Sequence, residues 1–212
     1  MGRFALSLVL ALPLLGQQPW LYSEPVTLRG NFGASDDLTL TNGHDVRLVS
    51  DPKIRAITSK WAEGMPLQLV YAIDKGLGLL DPQTDTFVPA ILTDGDLPID
   101  ILEKRCFDAP SAQTTQGMVE CADQGNRMWE AEIQRVYALL FARLNAEQRA
   151  ALQAAQEKWV QFFEAQLAAN ALINTGGTMS RIDRSMAAEQ LRGERWAKLA
   201  TLYVDSLRAS ER

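Results

Sequence analysis

Apolar positions follow two rhythms along the chain, one on each side of residue 110. Between residues 17 and about 100 they alternate, or form short runs broken by turn residues, which predicts short strands. Residues 37–41 and 46–49 flank Asn42-Gly43-His44-Asp45, a hairpin signal built on a dipeptide that tolerates positive φ. Leu67, Leu69, Tyr71 and Ile73 repeat at period two, and the turn Asp74-Lys75-Gly76 leads into a strand over 77–80. A further extended stretch, 87–92, contains Pro89, which suits a sheet edge or a strand end. Trp61 reads as a core aromatic of this small sheet, and 98–105 as a short helix or connector.

From Ser111 onward there is no proline, and apolar residues recur every three or four positions. The first long helix is expected from Thr114 or Thr115 to about Leu144. Its seam is Met118, Ala122, Gly125, Trp129, Ile133, Val136, Leu140 and Leu144. Asn145-Ala146-Glu147-Gln148 has the form of a capping box and opens a second helix, with a seam through Leu152, Ala155, Trp159 and Phe162 or Phe163, ending near Ile173. Asn174-Thr175-Gly176-Gly177-Thr178 breaks it. A third helix starts near Ser180 and carries Ile182, Met186, Leu191, Leu199 and Leu202. Short connections between long helices imply antiparallel neighbours. The fold class is therefore α+β: a small β-rich region followed by a three-helix module.

The N-terminus sets the compartment. Met1-Gly2-Arg3 precedes an apolar run over 4–15, too short for a spanning helix of about 20 residues and right for a signal peptide. Gly16 offers a small residue for cleavage, although Leu14 is a poor residue three positions before the cut. The expected organisation is a signal peptide over 1–16, a β-rich region over 17–104 and a helical domain over 105–212. The mature chain is expected in the periplasm or secreted, with no membrane span. In an oxidising space Cys106 and Cys121 are expected to pair. Closing a loop of about 15 residues stabilises by roughly 3 kcal/mol.

Without the leader's Arg3, 26 acids face 20 bases, and the excess lies in the first half: 13 acids to 8 bases over 17–106, against 13 to 12 over 107–212. Nucleic acid is a poor partner for such a chain, whereas a basic protein suits it. His44, the single histidine, falls in a predicted turn with no nucleophile motif, so it reads as a solvated side chain. Clustered zinc ligands are missing, and the glycine pairs lack the strand–loop–helix context of a phosphate loop. No residue is assigned a catalytic, cofactor-binding or metal-binding role, and the chain is expected not to be an enzyme. A hydrolase using a pair of carboxylates is the least supported reading.

The segment from Cys106 to Trp159 carries a resemblance. Met118 and Cys121 are followed by Glu130-Ala131-Glu132-Ile133-Gln134-Arg135-Val136-Tyr137, then by Leu152 through Ala155-Gln156 to Trp159. This succession resembles the LprI family of small secreted helical proteins known for lysozyme inhibition. The likeness extends over about 106–203, with Gly176-Gly177-Thr178 as the glycine-pair turn and Leu191 and Arg195 on the final helix. It departs from the family at Glu130 and Gln134, where Asp and Asn are usual, and at Leu167 and Ala187, where a second disulfide commonly sits. Ile133, Tyr137 and Trp159 lie on apolar seams and read as core. Glu130 and Arg195 are expected to pair between the first and third helices.

The resemblance implies an exported binding protein that occludes a lysozyme-like muramidase, with a basic lysozyme-like protein as partner and no cofactor. Asn174, Thr175, Gly176, Gly177 and Thr178 are the candidate partner loop, because a rigid scaffold presents binding groups on its loops. The alternative is a non-inhibitory interaction or scaffold module of the cell envelope.

Overall fold

Alternating inward side chains let a sheet of six antiparallel strands close on itself in the computed structural model, which describes residues 20–31, 36–95, 97–174, 177 and 179–210. The expected leader lies outside these residues. The strands are β1 (Tyr22–Asn31), β2 (Asp37–Leu40), β3 (Asp45–Leu48), β4 (Pro66–Ala72), β5 (Gly76–Asp81) and β6 (Thr86–Asp94), in the order β1-β2-β3-β6-β5-β4 around the barrel. Strand β1 makes closure possible. Its first half pairs with β4, from Tyr22↔Tyr71 to Thr27↔Pro66, and its second half with β2, from Leu28↔Leu40 to Asn31↔Leu38. A register shift between Leu28 and Gly30 falls at this change of partner, where a bulge bends the strand. Leu28, Leu40, Val46, Leu69, Leu79, Val88 and Ala90 are fully buried.

The short strands expected of the β-rich region form, and they close into a barrel. Pro89 is not on an edge, since β6 pairs with both β3 and β5. It is tolerated because the β3 ladder runs out beside it. The last pair is Leu48↔Ala90, and the Val49 N–H donates to the Pro89 carbonyl at 3.1 Å. The side of the strand on which proline lacks a donor is thus a ladder end. The hairpin expected at Asn42-Gly43 forms, with Gly43 at φ 87°. His44, expected in solvent, is half-buried against Gly95. Trp61 is buried as expected, at the end of a segment opened by helix α1 (Pro52–Thr58). The Asp51 side chain caps α1 by accepting the Lys53 N–H at 2.6 Å.

Four further helices follow: α2 (Pro98–Asp108), α3 (Thr115–Arg143), α4 (Ala146–Ile173) and α5 (Met179–Ser210). A 3₁₀ turn, Pro110–Gln113, separates α2 from α3, and the Thr114 hydroxyl caps α3 by accepting the Gly117 N–H at 3.0 Å. Both bonds of the Asn145–Gln148 capping box are made, at 3.0 and 2.9 Å. Helices α3 and α5 run parallel, Asn126 meeting Ser185 near one end and Arg143 meeting Ser206 near the other. Helix α4 returns between them in sequence and is antiparallel to α5, with Gln156 beside Arg195 and Phe163 beside Arg192.

The expected α3 seam is buried from Ala122 to Leu140. On α5 the expected stripe is corrected. Met186 and Leu202 are each 49% exposed, while Ile182, Trp196, Leu199, Tyr203 and Leu207 are buried. On α4 only Leu152 is fully inward; Ala155 is exposed, and Trp159 and Phe163 are half-buried.

Helix α3 also docks on the barrel. Gly76, at φ +73°, turns β4 into β5 where a Cβ would overlap the Arg135 side chain. Arg135 bonds the Glu132 carboxylate at 2.7 Å and the Ala90 carbonyl at 3.3 Å. A single hydrophobic cluster runs from the barrel interior through Met128, Trp129 and Ile133 to Trp196 and Leu199.

Candidate functional site

The segment singled out by its motifs is first a structural one. Cys106 near the end of α2 and Cys121 in α3 form a disulfide with Cα atoms 5.6 Å apart, tying α2 across the 3₁₀ turn to the first turns of α3. Met118, one turn earlier on α3, is half-buried.

Along α3, Ile133 is 1% exposed and belongs to the core. Glu130 faces α5 from the helix margin, and Gln134 Nε2 donates to it at 3.1 Å. Tyr137, half-buried, stacks on Phe141 with ring centroids 5.9 Å apart. From α4, Leu152 is buried and Gln156 turns to α5, where its Oε1 accepts from Arg195 Nε at 3.0 Å and Nη2 at 2.6 Å. The Arg195 guanidinium also lies 5.7 Å from the Trp159 ring centroid. Burial pushes the Arg195 pKa down from its ordinary value, with the Tyr137 hydroxyl group acting in the opposite direction.

The ion pair expected of Glu130 and Arg195 is therefore not formed. Arg192, one turn earlier on α5, takes that place: its Nε lies 3.2 Å from Glu130 Oε2, and its Nη1 donates to Asn126 Oδ1 at 2.6 Å. A three-residue step on α5 turns one arginine toward α3 and the other toward α4. The motif marks the helices that meet, but the charge pair sits one turn earlier on α5 than its arginine, at Arg192.

The α4–α5 connection has a different character. Leu172 and Ile173 on the last turn of α4 are each 77% exposed, and Met179 on the first turn of α5 is 53% exposed. Of the candidate loop, Asn174 and Gly177 are described; both are exposed, and Gly177 has φ +82°. Thr175, Gly176 and Thr178 lie outside the described residues. The Ser180 hydroxyl donates to the Gly177 carbonyl at 2.9 Å and starts α5. The flanking apolar residues were missed in sequence because Leu-Ile at a helix end reads as more of the seam. Only the helix's shallow packing shows that they face water.

Among the described residues, no group of three or more His, Cys, Asp or Glu side chains is placed to hold a metal ion. No helix among them is long and apolar enough to cross a membrane.

Comparison with protein families bears on the helical region. Residues 106–199 match the family model described as lysozyme inhibitor LprI. The helical region is LprI-like. The match starts on the first disulfide cysteine and ends in α5 at Leu199, leaving the barrel outside it. No curated protein matches the chain. Among solved structures, the chain is similar to an uncharacterized protein from Burkholderia thailandensis, with 24% identity and a TM-score of 0.48. That similarity covers 53% of this chain and 56% of the other, little more than half of either.

Proposed function

We propose that the protein is an exported, non-enzymatic inhibitor of a lysozyme-like muramidase, which occludes the sugar-binding cleft with the α4–α5 connection at residues 174–178. The observation that carries this reading is the exposure of Leu172, Ile173 and Met179 around that connection, on a region that matches the LprI family model. Three large apolar side chains held out by two long helices are unfavourable in water and suit a partner's cleft. Export is supported by the apolar leader over 4–15 and by the Cys106–Cys121 disulfide, a bond that persists in oxidising compartments. The acidity of the chain without its leader favours encounter with a basic enzyme and makes the rate sensitive to salt.

The test is muramidase activity on a cell-wall suspension in the presence of the purified mature chain. Inhibition is expected, and Leu172→Asp with Ile173→Asp should weaken it at least about tenfold, as loss of an apolar anchor does. The double variant should keep the wild-type helical spectrum. No inhibition by the wild-type chain in molar excess overturns the proposal.

A second reading rests on the barrel, which lies outside the family match and gives the chain a surface of its own. In that reading the protein is a non-inhibitory interaction module of the cell envelope. Recovery of a stable complex from envelope extracts, with no inhibition of a muramidase, would favour it.

A further inference from the structure

Helix α5 opens on a thioether in water. Met179, on its first turn, is 53% exposed, and Met186 further along is 49% exposed. Seven residues bring a helix back to the same face about 10 Å along its axis, so the two side chains stand on one side of α5. Met179 flanks the α4–α5 connection together with Leu172 and Ile173, each 77% exposed. The other described methionines are covered: Met128 is 1% exposed, and Met65 and Met118 are half-buried.

An apolar contact is served as well by leucine or isoleucine as by methionine. What methionine adds is a sulfur lone pair that reacts with peroxides. The chain offers such an oxidant no thiol, because its two cysteines are joined to each other. The thioethers are then the first targets, and exposure sets the order in which they are attacked.

We infer that Met179 is a modification site, oxidised to the sulfoxide by a peroxide, and that the change switches off binding at the α4–α5 connection. The inference rests on the proposed inhibitor function for what is bound there, and it adds a means of regulation.

The step is balanced with the peroxide as the one co-reactant. The sulfur lone pair attacks one oxygen of hydrogen peroxide and the O–O bond breaks. The departing hydroxide takes the proton left on the transferred oxygen and leaves as water. Sulfur loses two electrons and the peroxide gains them. The product carries a polar S=O group where an apolar side chain stood, which disfavours burial in a partner's cleft. The fold tolerates the change at Met179 because the side chain is already open to solvent. At Met128 the same oxygen would have to enter the core cluster that joins barrel and helices.

The experiment treats the full mature chain with limiting hydrogen peroxide, maps the added oxygen by peptide mass spectrometry and measures inhibition of a muramidase before and after. Met179 and Met186 should be oxidised first, with Met128 at least about tenfold slower. The treated chain should keep its helical spectrum and lose inhibitory potency about tenfold, as loss of an apolar anchor does. Met186→Leu should lose as much on treatment as the wild type. Met179→Leu, compared with its own untreated sample, should lose nothing further. Oxidation of Met128 as fast as Met179 overturns the site. A wild type that keeps full potency once Met179 is oxidised, or an equal loss in Met179→Leu, overturns the switch and leaves the inhibitor reading standing. A chain oxidised first at Met179 and Met186 that inhibits no muramidase even before treatment supports the modification site and overturns the inhibitor reading, with the switch built on it.

Discussion

Arg192 and Arg195 stand one helical turn apart on α5 and answer to different helices. Arg195 is 9% exposed and held by the neutral Gln156 amide and the Trp159 ring, whereas the Arg192–Glu130 pair is partly open to solvent. Removing Arg195 strands the Gln156 oxygen and opens the α4–α5 contact. We therefore expect Arg195→Ala to cost about 1–3 kcal/mol in urea unfolding and Arg192→Ala no more than about 1 kcal/mol. Equal costs would contradict this assignment.

Glu189 makes the second residue-scale prediction. Its carboxyl titrates near 4.5 when unfolded and near 9 when folded, so within that window the unfolded state binds fewer protons. Stability should then fall as pH rises from about 4.5 toward 9 and level off beyond it. Glu189→Gln keeps the shape without the proton. It should flatten this slope and be more stable than the wild type at pH 8 by about 1–3 kcal/mol, measured by thermal melts across the pH series. Glu189 did not stand out in the sequence. A glutamate at a helical position reads as solvated, and only the facing Gly125 shows that this one is buried.

At the scale of elements, legibility followed local chemistry. The capping box at Asn145, the hairpin at Asn42-Gly43 and the α3 seam were readable because each is set by residues a few positions apart. Strand β1 was not, because its pairs with β4, from Tyr22↔Tyr71 to Thr27↔Pro66, lie far apart in sequence and its alternation is broken by Pro25 and by the bulge before Gly30. Barrel closure depends on that strand, so it was hidden with it. Helix α1 had signals that went unread, Asp51 as cap and Pro52 at the first position. The α5 stripe misled because small and polar residues, Ala188, Glu189 and Ala200, occupy its inner face while Met186 and Leu202 face outward.

The disulfide joins two elements across a separation of 15 residues. Replacing both cysteines by serine should cost about 3 kcal/mol if closing that loop is its main effect. Chemical unfolding of the double variant against the oxidised wild type checks this. A cost below about 1 kcal/mol would mean that the 3₁₀ turn and the α2–α3 packing already fix the approach.

The whole molecule joins a closed barrel to an LprI-like helical region through one continuous core. The Arg135 and Glu132 side chains and the Tyr71–Met128 hydrogen bond at 3.4 Å lie at this junction. Barrel and helices should consequently unfold together, with far-ultraviolet circular dichroism and tryptophan fluorescence reporting the same midpoint. Two separated transitions would show that the junction does not couple them.

Inhibition of a lysozyme-like muramidase by the purified mature chain, measured as clearing of a cell-wall suspension at low and high salt, tests the central claim most directly. Saturable inhibition that weakens with salt and is lost on Leu172→Asp with Ile173→Asp is the predicted result. Full enzyme activity at every concentration of a folded, disulfide-bonded chain would contradict it.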